Sequence, residues 1–186
     1  MIFLFVRLII LLITLSGCSY QFGYGGLLDD YKTITIPYAT GDDRGELTTE
    51  VIRQISGTGA LRYQSDEGDL ILKMRLIEFR DENIGFRYDR KKDGKLKKAI
   101  IPTETRLFAS AEITVIEAAS GNIVTGPVII TASVDFDHDY YDMNHASNNR
   151  LSLGQLNDID AAHDAVLYPL NRKLAGKIVD YIVNNW

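Results

Sequence analysis

The densest run of metal-capable side chains is Asp135-Phe136-Asp137-His138-Asp139-Tyr140-Tyr141-Asp142, with His145 just beyond. Asp135, Asp137 and Asp139 match the first three ligand positions of an EF-hand calcium loop, where alternate carboxylates wrap a hard cation. The match ends there. Tyr140 stands where the loop needs glycine for its sharp turn, and Ala146 stands where it needs a bidentate acid. His138, Asp142 and His145 carry side chains suited to a transition metal, but their spacing imposes no common geometry. Residues 135–145 therefore support one alternative reading, a stand-alone periplasmic protein that binds a soluble ligand or metal there.

The second concentration of chemistry is cationic. Arg90-Lys91-Lys92-Asp93-Gly94-Lys95-Leu96-Lys97-Lys98 holds six basic residues around Asp93-Gly94, a pair that favours a tight hairpin turn. A charged hairpin tip is ordinarily a solvated tip. In a chain of net charge -5, however, it is also the one place built to meet an anion. Lysine meets phosphate as a point charge without fixed geometry, so such binding is additive and salt-sensitive. The overall acidity gives no attraction for nucleic acid, and none is expected as a partner.

Catalytic motifs are missing. The chain has no Gly-x-Ser-x-Gly, no His-Glu-x-x-His and no phosphate loop, and Gly57-x-Gly59 follows a helical pattern, not a strand. His163 falls in the first turn of the last predicted helix and reads as a surface residue. Neither an enzyme nor a cofactor is expected.

The only cysteine, Cys18, has a different use. Residues 1–17 contain thirteen apolar side chains and one charge, Arg7. The uninterrupted apolar run after Arg7 is too short to span a bilayer as a helix. A positive residue, a short apolar core and small residues before a cut describe a signal peptide. Leu15-Ser16-Gly17-Cys18 resembles the bacterial lipobox, which implies acylation of Cys18. Several acyl chains make a lasting anchor where one is marginal. Ser19, rather than aspartate, follows Cys18, which by analogy with bacterial lipoproteins favours the outer membrane. The expected organisation is a signal peptide over 1–17, a lipidated Gly- and Tyr-rich tether over 18–31, and one domain over 32–186. Without the leader, 169 residues remain, with a side-chain charge of -6. That length can bury a core without disulfides or metals.

The elements that position these groups follow from periodicity. Ile34, Ile36 and Tyr38 point one way in a short strand, in which Pro37 suggests an edge position or the strand's end. Leu47, Val51, Ile52 and Ile55 make a helical stripe stopped by Gly57-Thr58-Gly59. Leu70, Leu72, Met74 and Leu76 share one face of a strand that runs on, bent, through Phe79 to Tyr88. Leu107, Ala109, Ala111, Ile113 and Val115 define the next strand, and Val128 to Phe136 another. Val166, Leu170, Leu174, Ile178 and Ile182 stripe a final helix from about Asp160 to Val183, which Pro169 kinks or splits. The order β-α-β-β-β-α predicts an α+β two-layer sandwich, a four-stranded mixed sheet with two helices on one face. The first crossover pairs its strands in parallel. The other sheet face carries Ile71, Ile77, Phe79, Phe108, Ile116 and Ile129 among Lys73, Arg75 and other polar groups. Six large apolar side chains with no helix left to cover them suggest a partner surface.

In order and spacing, these segments resemble the lipopolysaccharide-assembly lipoproteins (the LptE family). Cys18-Ser19-Tyr20-Gln21-Phe22 is similar to the family's opening, Cys-Gly-aromatic-His-aliphatic, with Ser19 and Gln21 as departures. Leu47-Thr48-x-x-Val51-x-x-Gln54-Ile55 looks like its first helix and Arg106 to Ile116 like its central strand. Val134 to Tyr141, a long polar stretch and a terminal amphipathic helix complete the likeness. The resemblance implies a non-enzymatic plug in the lumen of the lipopolysaccharide translocon, an LptD-type outer-membrane β-barrel. Such a protein assists assembly of the barrel and contacts lipopolysaccharide. The family's basic contacts near the second hairpin carry over to Lys95, with Lys97 and Lys98 as helpers in the loop that Arg90, Lys91 and Lys92 begin. Ile71, Lys73, Arg75, Ile77, Phe79 and Phe108 are then the barrel-facing residues.

Overall fold

The computed structural model describes residues 30–90, 94–138 and 159–184, with side chains at all of these except 90, 96–99 and 159. Cys18, the 17/18 boundary, most of the tether, Lys91, Lys92 and the 139–145 half of the acidic segment lie outside the described residues. So do the side chains of Arg90, Lys97 and Lys98.

Alternating side chains make strands wherever one face can be buried. In chain order the elements are β1 (Thr33–Thr35), α1 (Glu46–Thr58), β2 (Arg62–Gln64), β3 (Leu70–Arg90), β4 (Leu96–Glu117), β5 (Ile123–Asp137) and α2 (Ile159–Asn184). The sheet order is β2-β1-β3-β4-β5. The class is α+β as expected, but the sheet has five strands, not four. The extra strand, β2, is only three residues long, one exposed and two half-buried, so it carries no alternation to read. It pairs with β1 in parallel, and β1 also pairs with β3 in parallel, as the first crossover predicts. The remaining pairings are antiparallel.

One core joins the sheet to both helices. Leu47, Val51 and Ile55 of α1 and Leu170, Leu174 and Ile178 of α2 are buried with Leu70, Leu72, Leu107, Ala109, Ala111 and Ile113. Ala109, Ala111 and Ala132 leave room beneath the larger side chains of α2, so helix and sheet approach closely. Pro169 neither ends nor splits α2, which continues as one helix. It lies on the exposed side, where the carbonyl it leaves free can turn to water.

Helix α1 is capped from outside. Gly45, at its N-terminus, adopts a left-handed φ of 67°, and a Cβ there would meet the Tyr38 ring at 2.7 Å. The Asp42 carboxylate instead accepts the backbone N–H and the hydroxyl of Thr48, both at 2.8 Å. The Thr48 hydroxyl oxygen accepts the N–H of Ala39 at 3.0 Å.

The parallel junction depends on one carboxylate. Asp69 accepts the backbone N–H groups of Lys32 and Thr33, each at 2.9 Å, while its own N–H donates to the Thr33 hydroxyl. Gly68 packs so close that a Cβ would fall 2.7 Å from the Thr35 nitrogen. Hydrogen bonds from the Lys32 backbone, then those from Thr33, hold the Asp69 pKa below the ordinary aspartate value. A group lowered on folding stabilises fully above its unfolded pKa, and this is lost as pH falls through the folded value. Asp69→Asn is therefore expected to lower the melting temperature at neutral pH and flatten its decline on acidification. Melts by circular dichroism from neutral to strongly acidic pH test this; an unchanged acid limb in Asp69→Asn would count against it.

Candidate functional site

The helix-free face of β3, β4 and β5 is built from cross-strand pairs. Lys73 lies opposite Thr114, Arg75 opposite Glu112 and Arg80 opposite Phe108; across β4, Arg106 faces Asp135 and Ser110 faces Thr131. Arg106 grips Asp135 with two hydrogen bonds of 2.6 and 2.7 Å. That guanidinium, by hydrogen bonding and then by its charge, holds the Asp135 carboxyl below its ordinary pKa. Arg75 reaches both Glu112 oxygens at 3.1–3.2 Å. The Arg80 guanidinium lies 4.5 Å above the Phe108 ring, in cation–π range. Toward the β4–β5 turn the face becomes apolar, with Ile71, Ile116 and Ile123 in register and Ile129 exposed.

Phe79 is not on this face. The pairing slips between Leu76 and Glu78, so Ile77 is the extra residue of a bulge. Beyond it, Phe79 lies opposite the buried Ala109 and Asp81 opposite the buried Leu107, which puts both on the helix side. One inserted residue reverses the parity of everything after it. Unbroken alternation assigns Phe79 wrongly. Ile71, Lys73, Arg75 and Phe108 keep the expected face, and Ile77 sits exposed at the bulge.

The hairpin that carries the basic tip is longer than the periodicity indicates. Strands of 21 and 22 residues amount to roughly 65–70 Å of extended chain, against about 39 Å for the 26-residue α2. Each strand is longer than either helix; Phe86, Tyr88 and Ile100 along the ribbon are exposed, whereas Asp89 and Ile101 are buried. Lys95 is exposed near its end, after Gly94 in the left-handed turn conformation.

The described half of the acidic segment does not converge. Asp135 is bound to Arg106, whereas His138 is buried. Its Nε2 lies 2.8 Å from the Thr105 hydroxyl, which donates to Asn83 Oδ1 at 2.9 Å. Among the described residues, no group of three His, Cys, Asp or Glu side chains could hold a metal ion.

A concavity on the helix side has no signal in the sequence. A cavity of about 320 Å³ opens between the β1–α1 loop, the β3 bulge and α2. Leu76, Phe79 and Leu167 give it an apolar wall; Asp43, Arg44 and Glu46 line its rim, and His163 and Asn171 its α2 side. Asn171 Nδ2 donates to Glu46 Oε2 at 3.0 Å, which leaves the amide oxygen buried without a partner.

No protein-family model matches the chain, and no curated protein matches it either. Solved structures do. The minor lipoprotein of Acinetobacter baumannii is 15% identical, with a TM-score of 0.48 over 84% of this chain and 95% of that one. The rare lipoprotein B of Shewanella oneidensis is 13% identical, with a TM-score of 0.49 over 83% and 96%. Both are lipoproteins by description.

Proposed function

We propose that this protein is an outer-membrane lipoprotein, anchored through Cys18, that lodges in the lumen of an LptD-type β-barrel. There it assists barrel assembly and contacts lipopolysaccharide during its insertion at the cell surface. It acts by binding and uses neither a catalytic centre nor a cofactor.

The observation that carries this reading is the open sheet face. Three strands present a broad surface whose charges are largely neutralised in place, by Arg75–Glu112 and Arg106–Asp135, with Phe108 and a cluster of isoleucines as apolar anchors. A barrel lumen is polar, so a partner inside it needs hydrogen-bonding groups without a large unpaired charge. Apolar patches on such a face are a liability for a solitary domain and an asset for an enclosed one. The long ribbon suits the same role, since its two strands lead to the cationic segment 90–98.

Co-expression with an LptD-type barrel, followed by affinity capture of the full chain in detergent, tests the reading. Co-elution with the barrel is expected; elution alone at saturating barrel overturns it. The tip has its own test. Exposed charges are screened over about 8 Å at physiological salt. Reversing Lys95, Lys97 and Lys98 together to glutamate should therefore weaken lipopolysaccharide binding severely, and high salt should mimic it. Lys95→Ala alone should matter little. Wild-type binding by the triple variant would make the tip an ordinary solvated turn.

A further inference from the structure

The cavity lies on the helix side, away from the open sheet face, and its lining makes a specific chemical demand. Asp42, Asp43 and Glu46 line it, with Asp164 near Arg44 and Asp81 near His163. Five carboxylates thus surround one guanidinium and one imidazole. Asp42 is committed to Thr48. Glu46 holds Asn171 through one oxygen, while its other oxygen is only 3.9 Å from Arg44, too far for a hydrogen bond. Beside it, Asn171 is 6% exposed and its amide oxygen has no partner. Flipping the amide would set that oxygen against the Glu46 carboxylate, so the assignment stands. A stranded buried acceptor costs free energy until a donor reaches it.

We propose that this cavity receives an arginine side chain from a peptide segment of a partner protein. Each part of the site selects a property of that group. The acidic rim selects a cation, and the Glu46 oxygen that makes no hydrogen bond, 3.9 Å from Arg44, selects a ligand that donates. Leu76 and Leu167 accept an apolar stem, and the half-exposed Phe79 ring offers a face to a flat cation. Guanidinium combines donor-only chemistry, planarity and permanent charge; ammonium lacks the planarity. A space of about 320 Å³ lies at the small end of ligand cavities and suits one side chain better than a cofactor.

The test uses the full chain in detergent and N-acetyl-arginine amide as the probe, followed by nuclear magnetic resonance. Saturable shifts are expected at the Asn171 side-chain amide and the Phe79 ring. N-acetyl-citrulline amide, of similar shape but uncharged, should not saturate, and N-acetyl-lysine amide should bind more weakly than arginine. Glu46→Gln keeps a side chain able to bond Asn171 and should weaken arginine binding about tenfold, equivalent to ~1.4 kcal/mol. Phe79→Ala, at a half-exposed position, supplies a second variant with little demand on folding and should weaken it too. Three results overturn the proposal: no saturable shift at those residues, citrulline or lysine binding as well as arginine, or full affinity in both variants.

Discussion

Ile113→Asp is expected to abolish cooperative folding of the domain at physiological temperature, whereas Ile129→Lys leaves its melting temperature nearly unchanged. Both residues are isoleucines on paired strands, so composition and propensity do not separate them. Burial does. Ile113 is 1% exposed, lies between Met74 and Val128 in the sheet and belongs to the shared core. Replacing it forfeits about 2–3 kcal/mol of apolar burial. It also strands a carboxylate with no partner, which costs several kcal/mol more. Against a net stability of about 5–15 kcal/mol, that sum consumes most or all of what a domain of this size holds. Ile129 is 61% exposed on the open face, opposite Glu112, where a lysine meets an acid and keeps its hydration. Urea unfolding followed by circular dichroism measures both. Comparable loss at the two positions would mean that the sheet faces are assigned wrongly.

How far such assignments can be read from residues depends on whether periodicity runs unbroken. Leu107 to Val115 of β4 and Leu170 to Ile182 of α2 were legible because each repeats one spacing against one buried surface. The parallel pairing of β1 with β3 was legible from the order of elements. Strand β2 was not, because three residues, one exposed and two half-buried, leave no pattern. The bulge at Ile77 was invisible for another reason. No glycine or proline marks it, and each residue around it suits a strand, so only the pairing register shows that Phe79 has changed faces. The outer half of β3 was legible through Tyr88, but that of β4, before Leu107, was not: Ile101 is buried there beside an exposed Ile100, too little alternation to mark a strand. The cavity lay furthest from reach. Its defining contact, Asn171 to Glu46, joins residues 125 positions apart, and it needs the bulge to bring Phe79 to the same wall.

That change of face separates two phenylalanines that unbroken alternation places together. If the barrel wall meets the open sheet face, Phe108→Asp should cut capture by an LptD-type barrel about thirtyfold, while Phe79→Asp should leave it near the parental level. Phe108 lies at the centre of the face, on the middle strand of the antiparallel three, beneath the Arg80 guanidinium. Central aromatic side chains carry a disproportionate share of interface energy, commonly ~2 kcal/mol or more on truncation. A carboxylate there would also draw Arg80 into an ion pair and replace an apolar anchor with a solvated charge. The fold tolerates this because Phe108 is only half-buried and its neighbours are polar. Phe79 is the internal control: it is as aromatic and also partly exposed, but it faces the helix side. Melting temperatures for both variants establish that each is folded before capture is compared. Equal loss of capture would show that the barrel contacts the helix side as well. Loss confined to Phe79→Asp would move the docking surface off the open sheet face, and the cationic ribbon would then have to reach lipopolysaccharide from the opposite orientation.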